Sequence, residues 1–407
     1  MKILMVTPMP PQLQAPGAIP LVLHAELTGL MPHHQITLVT VAGLEPGEQE
    51  AIDKFVAAGL DVHAFRRTQL KGWQKWQRRW RLAHTWLRGK VPWRTVWFWE
   101  PEVQRILDHL LAEKTFDLII VDDNAMGVYT YRTTNPLLFT EHEVRRPRPI
   151  DIDGFRQSDL FHWILKEADW ARWPRYQRSV WRKFDRIQVF TQRDAEAIGS
   201  LAPEMAKRVR VNPFGIVIPA AFDNEAQEQN TILFTGNFTH PPNVDAALWL
   251  GQEIMPLLRD IHPGIRLCLI GIYPPPEVKD LACDDISVTG SVPEIEPYFA
   301  RASLVVAPIR IGGGMRMKVL QAMALGKAVV TTSRGSDGLT VDGRQPPLVT
   351  ADNSLGFSQA IVRLLSDETS RRELGEQARL YVAANFSAQA YASRIEAIYV
   401  EMQGERG

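Results

Sequence analysis

The stretch LVVAPIRIGGGMRMKVLQAMALG, residues 304–326, decides how the chain is read. Leu304 to Pro308 is a short valine-rich run ended by proline, the pattern of a buried strand. Ile311 to Gly314 reads as a loop, and Met315 to Leu325 as a helix stopped by Gly326. Strand, glycine run and helix start together make an anion cradle. Gly312, Gly313 and Gly314 let the backbone approach a phosphate with bare N–H groups, and the helix start at Met315 adds partial positive charge. That dipole supplies only about 0.3 to 2 kcal/mol, too little to hold a diphosphate. Arg316 and Lys318 are the stronger candidates, since hydrogen bonds to charged groups run to about 1.5 to 3 kcal/mol each. The other helix face, Val319, Leu320, Met323 and Ala324, has core spacing. Taken alone, the stretch also fits a flexible turn leading into a solvated basic helix start.

Outward from this stretch, further apolar runs bounded by turn residues read as strands: Ile3 to Thr7, Ile36 to Val41, Leu118 to Asp122, Leu137 to Thr140 and Arg186 to Thr191. A second series runs through Thr231 to Gly236, Arg266 to Gly271, Ile286 to Gly290 and Ala328 to Thr332. Helical patterns lie between them, such as Asp245 to Arg259 and Ile295 to Ala300. Strand and helix alternating through two series imply an α/β protein of two Rossmann-like, doubly wound domains, with ligands bound beyond the carboxyl ends of the strands. The aperiodic segment Asn212 to Gln229 separates the series, giving domains 1–215 and 216–387 and a final helical pattern in 388–407.

Composition sets bounds on function. A chain of 407 residues, 45% apolar, exceeds what one core usually organises. Its formal net charge of zero argues against wholesale nucleic-acid binding. Cys268 and Cys283 are too few for a disulfide framework and lack metal-ligand spacing, which fits a reducing cytoplasm. The first residues do not read as a signal peptide, and no run approaches the roughly 20 apolar residues a spanning helix needs.

The stretch GGGMRMKVLQAMALGKAVV, residues 312–330, followed by TTSRGSDGL, residues 331–339, resembles the donor-site signature of the retaining glycosyltransferases of family four, which have the GT-B fold. Phe234 to Asp245, with Gly236, Asn237 and Asn243, resembles the family's opening of the second domain near the donor phosphates. Val288 to Pro293, with Gly290, Ser291 and Val292, resembles the loop that holds the nucleobase through backbone groups. In the first half, Phe139 to Glu143 and Val180 to Asp194 are also similar. The resemblance covers nearly the whole chain, thinning between about Leu44 and Lys114. It implies domains facing across a cleft, a nucleotide-sugar donor as substrate, no cofactor, no metal, and a closing helix that crosses back to the first domain. The family commonly carries two glutamates where this chain has Gly313 and Gln321; Gln321 can still accept a hydrogen bond from a ribose hydroxyl.

His142 matches a family histidine beside the transferred sugar, where a neutral imidazole can hydrogen-bond a hydroxyl. Glu141 and Glu143 flank it, and adjacent side chains in an extended segment point to opposite faces, so the histidine or its neighbours face the ligand. Glu141 is assigned to the acceptor side. So is Gly17, the best match to the family's glycine-rich turn after the first strand, which is here rich in proline from Pro8 to Pro16. Arg145 and Arg146 fit either an anionic substrate or solvated surface charge.

The most individual segment is Arg66 to Trp99, with ten lysines or arginines, seven tryptophans and no carboxylate. Trp73, Trp76 and Trp80 recur on one helix face. Three readings are open: an anionic membrane surface or lipid-linked acceptor, tryptophans packed inward, and, least, single-stranded nucleic acid. The chain is expected to be a glycosyltransferase acting on a glycan or lipid-linked acceptor in cell-surface polysaccharide or glycolipid synthesis, cytoplasmic or peripheral at the inner face of the membrane. A non-catalytic partner subunit and a nucleotide-sugar epimerase are the alternatives.

Overall fold

The computed structural model describes all residues except 14, 16, 44–46, 68–71, 89–90, 148–159, 220–227, 313–315 and 406–407. Met1–Phe214 with Tyr391–Gly407 forms one unit and Gly215–Ala390 the other. The first contains β1 (Lys2–Thr7), β2 (Gln35–Ala42), β3 (Asp61–Arg66), β4 (Leu118–Asp122), β5 (Leu137–Glu141), β6 (Arg186–Val189) and β7 (Val209–Val211). They form a sheet in the order β3-β2-β1-β4-β5-β6-β7, parallel throughout. The second unit contains β8 (Thr231–Thr235), β9 (Arg266–Ile270), β10 (Ile286–Gly290), β11 (Leu304–Ala307), β12 (Val329–Thr331) and β13 (Val349–Thr350). Their order is β10-β9-β8-β11-β12-β13, again parallel. Helices join the successive strands within each unit, as parallel pairing favours, except β12 and β13, whose connection runs through turns. In the first unit, α1 (Ala18–Leu30), α2 (Glu48–Ala57) and α3 (Gly72–Leu87) fall within the first connections.

Central strands read as continuous apolar runs because helices cover both faces. β4, LIIVD, and β8, TILFT, are buried at every residue. The first core gathers Leu4, Val6, Ile119, Val121, Phe139, Val180 and Trp181; the second gathers Phe234, Leu250, Leu267, Val306, Val330 and Phe357. Three strands without such runs escape the sequence reading: β3, β7 and β13. Each lies at or near a sheet edge and is only partly buried, so no apolar run marks it.

Two helices begin elsewhere than expected. The pattern read from Asp245 starts at Pro241, and the prolines at 241 and 242 occupy first-turn positions where a missing N–H costs nothing. It continues through a π-turn, Leu250–Ile254, into Met255–Ile261. The helix read from Met315 is regular only over Met317–Ala324, because Arg316 has φ −96° and ψ 85°. The first bonds of that helix run from the Val319 and Leu320 N–H groups to the Arg316 carbonyl, at 2.9 and 3.2 Å. The last helix, Ala388–Gly404, leaves the second unit and joins the first from Tyr391 onward.

The second sheet depends on one backbone contact. A Cβ on Gly271 would lie 1.6 Å from the Gly236 carbonyl oxygen and 2.8 Å from the Phe238 ring. Gly271→Ala is expected to cost about 1–3 kcal/mol or more through overpacking. Its denaturation midpoint falls, whereas Gly404→Ala, with nothing within 4 Å of the added methyl, leaves the midpoint unchanged.

Candidate functional site

In the second sheet the crossovers reverse direction between neighbours β8 and β11. From β8 the chain moves toward β9 and β10; from β11 it moves toward β12 and β13. The loops leaving β8 and β11 therefore diverge and open a crevice at the carboxyl ends, the usual ligand position in an open α/β sheet.

The loop after β8 enters the crevice through Gly236, whose N–H donates to the Ile270 carbonyl at 2.8 Å. Asn237 folds its own loop, its Oδ1 accepting from Thr239 N–H at 2.9 Å and Thr239 Oγ1 at 2.7 Å. Asn243 links the two loops: its Nδ2 donates to the Asn237 carbonyl at 2.7 Å, and its Oδ1 accepts from Lys318 Nζ at 2.6 Å. The lysine amine lies 4.4 Å over the buried Phe234 ring. A Cβ on Gly236 would stand 2.9 Å from Asn243 Cγ and 3.1 Å from Lys318 Nζ, so this glycine leaves room for the amine.

Gly312 brings the loop after β11 against the same helix start. Its φ is +89°, and a Cβ there would meet Pro242 Cγ at 2.8 Å. Its carbonyl accepts from Arg334 Nη1 at 3.0 Å. Arg310 fixes the exit of β11 by a two-pronged pair with Asp245, at 2.7 and 3.1 Å, stacked on Trp249. Gly313, Gly314 and Met315 lie outside the described residues. Gln321 is exposed, one turn beyond Lys318. Gly290, Ser291 and Val292 leave β10 two strands away; Gly290 has φ +73°, and its carbonyl accepts from Gly271 N–H at 3.2 Å.

Lys318 is a cation held out of water. Burial, aided by the neighbouring Arg316 charge, pushes its pKa down to about 7. Near neutrality the amine therefore holds its proton far less firmly than an exposed lysine does. An anion placed beside it would restore the charged form.

In the first sheet the crossovers reverse between β1 and β4. Asp122 ends β4, fully buried, and Asp123 follows at φ +69° with its Oδ1 accepting from Ala125 N–H at 2.8 Å. His142 follows β5. Its Nε2 lies 3.5 Å from Asp122 Oδ1, and its ring meets Phe190 edge to face. Behind Asp122 lies Glu26 of α1, also fully buried. Burial holds both carboxyls above the ordinary range. The Asp122 charge raises Glu26 further, while His142 pulls Asp122 partly back. Tyr391 of the last helix adjoins Glu26 and accepts from Gln188 Nε2 at 3.1 Å, and the same amide donates to Thr140 Oγ1 at 2.7 Å. Arg394 and Asn212 extend this network, so the last helix is tied to the first sheet by polar groups.

Glu141, expected on the acceptor side, is buried. Its carboxylate accepts from Asn124 Nδ2 at 2.6 Å, Trp181 Nε1 at 2.8 Å, Glu143 N–H at 3.3 Å and Gln177 Nε2 at 3.4 Å. Burial pushes its pKa up to about 8. Alternation turns Glu141 into this nest and His142 the other way. Arg145 is likewise occupied, lying 3.8 Å over Trp173, and Arg146 donates to the Arg193 carbonyl at 2.7 Å. Gly17 sits just before α1 in an extended conformation, φ −126° and ψ 160°, that any residue adopts. Asp122, Glu26 and Arg334 were not singled out in the sequence. The two acids stand among apolar residues as strand and helix members do, and Arg334 lies inside a quoted segment with nothing to separate it from surface charge.

Comparison with known proteins bears on both sheets. The sequence model of a family described as glycosyl transferases group 1 matches residues 229–367, which lie within the second unit. The lipopolysaccharide core biosynthesis mannosyltransferase of Rhizobium leguminosarum is 34% identical over 123 residues, 30% of this chain and 35% of that protein. The lipopolysaccharide 1,2-N-acetylglucosaminetransferase of Salmonella typhimurium is 24% identical over 194 residues, 42% of this chain and 49% of that protein. The chain thus spans under half the length of these curated relatives. Among solved structures, HepE of Anabaena in complex with UDP and glucose superposes with a TM-score of 0.64 at 14% identity, covering 98% of this chain and all of that one. Sucrose-phosphate synthase of Thermosynechococcus elongatus gives 0.62 at 15% identity with full coverage of both chains. The fold is GT-B.

Two outcomes follow from the buried charges. If an anion restores the Lys318 charge, binding of a nucleoside diphosphate takes up a proton, and affinity falls as pH rises above about 7 by up to about tenfold per unit. Calorimetry in buffers of different ionisation enthalpy reads the uptake, and Lys318→Met abolishes it. Glu26 holds its proton more tightly folded than unfolded, so its contribution lowers stability as pH climbs from its ordinary range toward its raised pKa. Glu26→Gln is expected to raise the melting temperature at pH 8 and to leave it unchanged near pH 4.

Proposed function

We propose that the chain transfers a sugar from a nucleoside diphosphate-sugar to a glycan or lipid-linked acceptor in cell-surface polysaccharide or glycolipid synthesis, with retention at the anomeric carbon and at the inner face of a membrane. The observation that carries this reading is the Lys318 amine on Asn243, at the reversal point between β8 and β11, inside the segment that matches group 1 glycosyltransferases. Two relatives named as sugar transferases of lipopolysaccharide synthesis support the reaction class.

In this reading the diphosphate binds where the loops after β8 and β11 diverge. Arg316 and Lys318 meet the negative charge that grows on the leaving diphosphate as the glycosidic bond breaks. Charge fixed in place before the reaction is the most effective electrostatic help, because nothing has to reorganise at that moment. The mutual repulsion of the two cations is relieved by the donor, so part of the site's stored electrostatic cost is released on binding. Gly290 to Val292 hold the base, and Gln321 accepts from a ribose hydroxyl. In the first unit, His142 hydrogen-bonds a sugar hydroxyl with Asp122 behind it, 3.5 Å from its Nε2.

Arg316→Ala and Lys318→Ala are each expected to weaken donor binding by about 1.5–3 kcal/mol, the value of a charged hydrogen bond. A thermal-shift screen of nucleotide-sugars identifies the donor, since a ligand at 100 times its Kd stabilises the fold by about 2.7 kcal/mol. Unchanged affinity in both variants sinks the reading. Transfer that requires acceptor, with the donor's anomeric configuration kept in the product by NMR, supports it. Sugar inversion without acceptor would make the protein an epimerase, and tight donor binding without turnover a binding subunit.

A further inference from the structure

α3 carries Trp73, Trp76, Trp80, His84 and Leu87 at intervals of three and four. At about 100° per residue they fall within about 80° of the helix circumference. This face is open to solvent: Trp73 is 67% exposed, Trp76 52%, Trp80 61% and Leu87 71%. The rings lie one on the next, with centroids 4.9 Å apart from Trp73 to Trp76, 6.4 Å from Trp76 to Trp80, and 6.1 Å from Trp80 to His84.

The opposite face is taken. Arg78 bonds Glu100 at 2.6 Å and stacks 4.4 Å over Trp97. Leu82 is buried, and Trp86 donates to Asp169 at 2.7 Å beneath the Arg172 guanidinium. The helix is therefore held with its aromatic stripe outward, which sets aside the reading of tryptophans packed inward for residues 73, 76 and 80. The carboxylates that touch it are used on the back: Glu100 by Arg78 and Arg81, Asp169 by Trp86 and the Trp93 N–H. Arg79 and Arg88 stay exposed beside the stripe, and Arg81, though it reaches Glu100, keeps a side chain 44% exposed.

We propose that this face of α3 docks on an anionic lipid bilayer, with the stacked tryptophans at headgroup depth and the flanking guanidiniums on lipid phosphates. An amphipathic helix with aromatic residues on one face and cations at its sides matches the polarity gradient of that interface. Charge complementarity selects the occupant: Arg66 to Trp99 holds ten basic residues and no acid in a chain whose net charge is zero. A second copy would set these cations against one another. Single-stranded nucleic acid needs rings free to take bases, and rings 4.9 Å apart leave no slot between them. The helix lies on the surface and does not cross it; among the described residues no helix is long and apolar enough to span a membrane. The docking deepens the proposed transfer, and rests on that reading only in that a lipid-linked acceptor would be met at this surface.

The test is flotation of the full chain with vesicles of phosphatidylcholine alone or in equal mixture with phosphatidylglycerol. Wild type is expected to float with the anionic vesicles, at least about tenfold more than with the neutral ones, and to be released by salt. The triple variant Trp73→Ser, Trp76→Ser, Trp80→Ser loses flotation while keeping the thermal shift given by a nucleoside diphosphate. Arg79→Gln with Arg88→Gln, which leaves the packed face untouched, loses most of it too. Equal flotation of wild type and both variants overturns the docking, as does absence of wild-type flotation. Retention of a single-stranded oligonucleotide by wild type without flotation, or a dimer that the tryptophan variant dissolves, assigns the face to another partner and also overturns it. In the wild type, absence of flotation with the nucleotide shift present refutes this surface alone, and absence of the nucleotide shift with flotation present refutes the proposed reaction alone.

Discussion

A parallel sheet covered on both faces has to satisfy every backbone group internally, and its connections must leave over one face or the other. When the direction of winding reverses, two adjacent strands send their loops apart, and their carboxyl ends are left without a crossing chain. In the second unit this happens between β8 and β11, and the site residues there answer to that gap. Gly271 admits the Gly236 carbonyl, Gly236 leaves space for the Lys318 amine, and Asn243 spans from one loop to the other. Each contact needs the one before it.

The two reversal points hold opposite charge. At β8 and β11 the desolvated group is a cation, Lys318, whose proton is loosened by burial and by Arg316. At β1 and β4 the desolvated groups are the carboxyls of Asp122 and Glu26, whose protons are tightened by burial. Stability alone disfavours both arrangements, since a buried ionisable group without a full complement of partners costs more than an apolar one. Such groups concentrate where a ligand completes them. Glu141 shows the contrast within one short loop: it is just as buried, yet four donors satisfy it, and it organises the backbone that carries His142.

The chain's architecture was legible in its sequence because buried parallel strands write continuous apolar runs, and ten of these, with glycine and proline between them, give the two series directly. The loops at the second reversal point were legible because glycines, asparagine and paired basic residues stand at strand ends where few structural roles compete for them. What escaped was weakly buried or long-range. β3, β7 and β13 lie toward sheet edges, where half-exposed residues break the run. The helix start at Met317 depends on the torsions of Arg316, which residue type does not set.

Sequence by itself determined the two doubly wound sheets, the glycine-rich segment proposed to bind a diphosphate, and the basic aromatic character of α3. Tertiary structure alone decided which way side chains face and what they meet. It turned Glu141 inward and His142 toward Asp122, brought Glu26 to Asp122 across 96 residues of chain, buried the Lys318 amine on Asn243, and set the α3 tryptophans outward. The reason is common to all five. Hydrophobic periodicity reports that a face exists, but the energy of a charge or an indole depends on the groups around it, and those come from other parts of the chain.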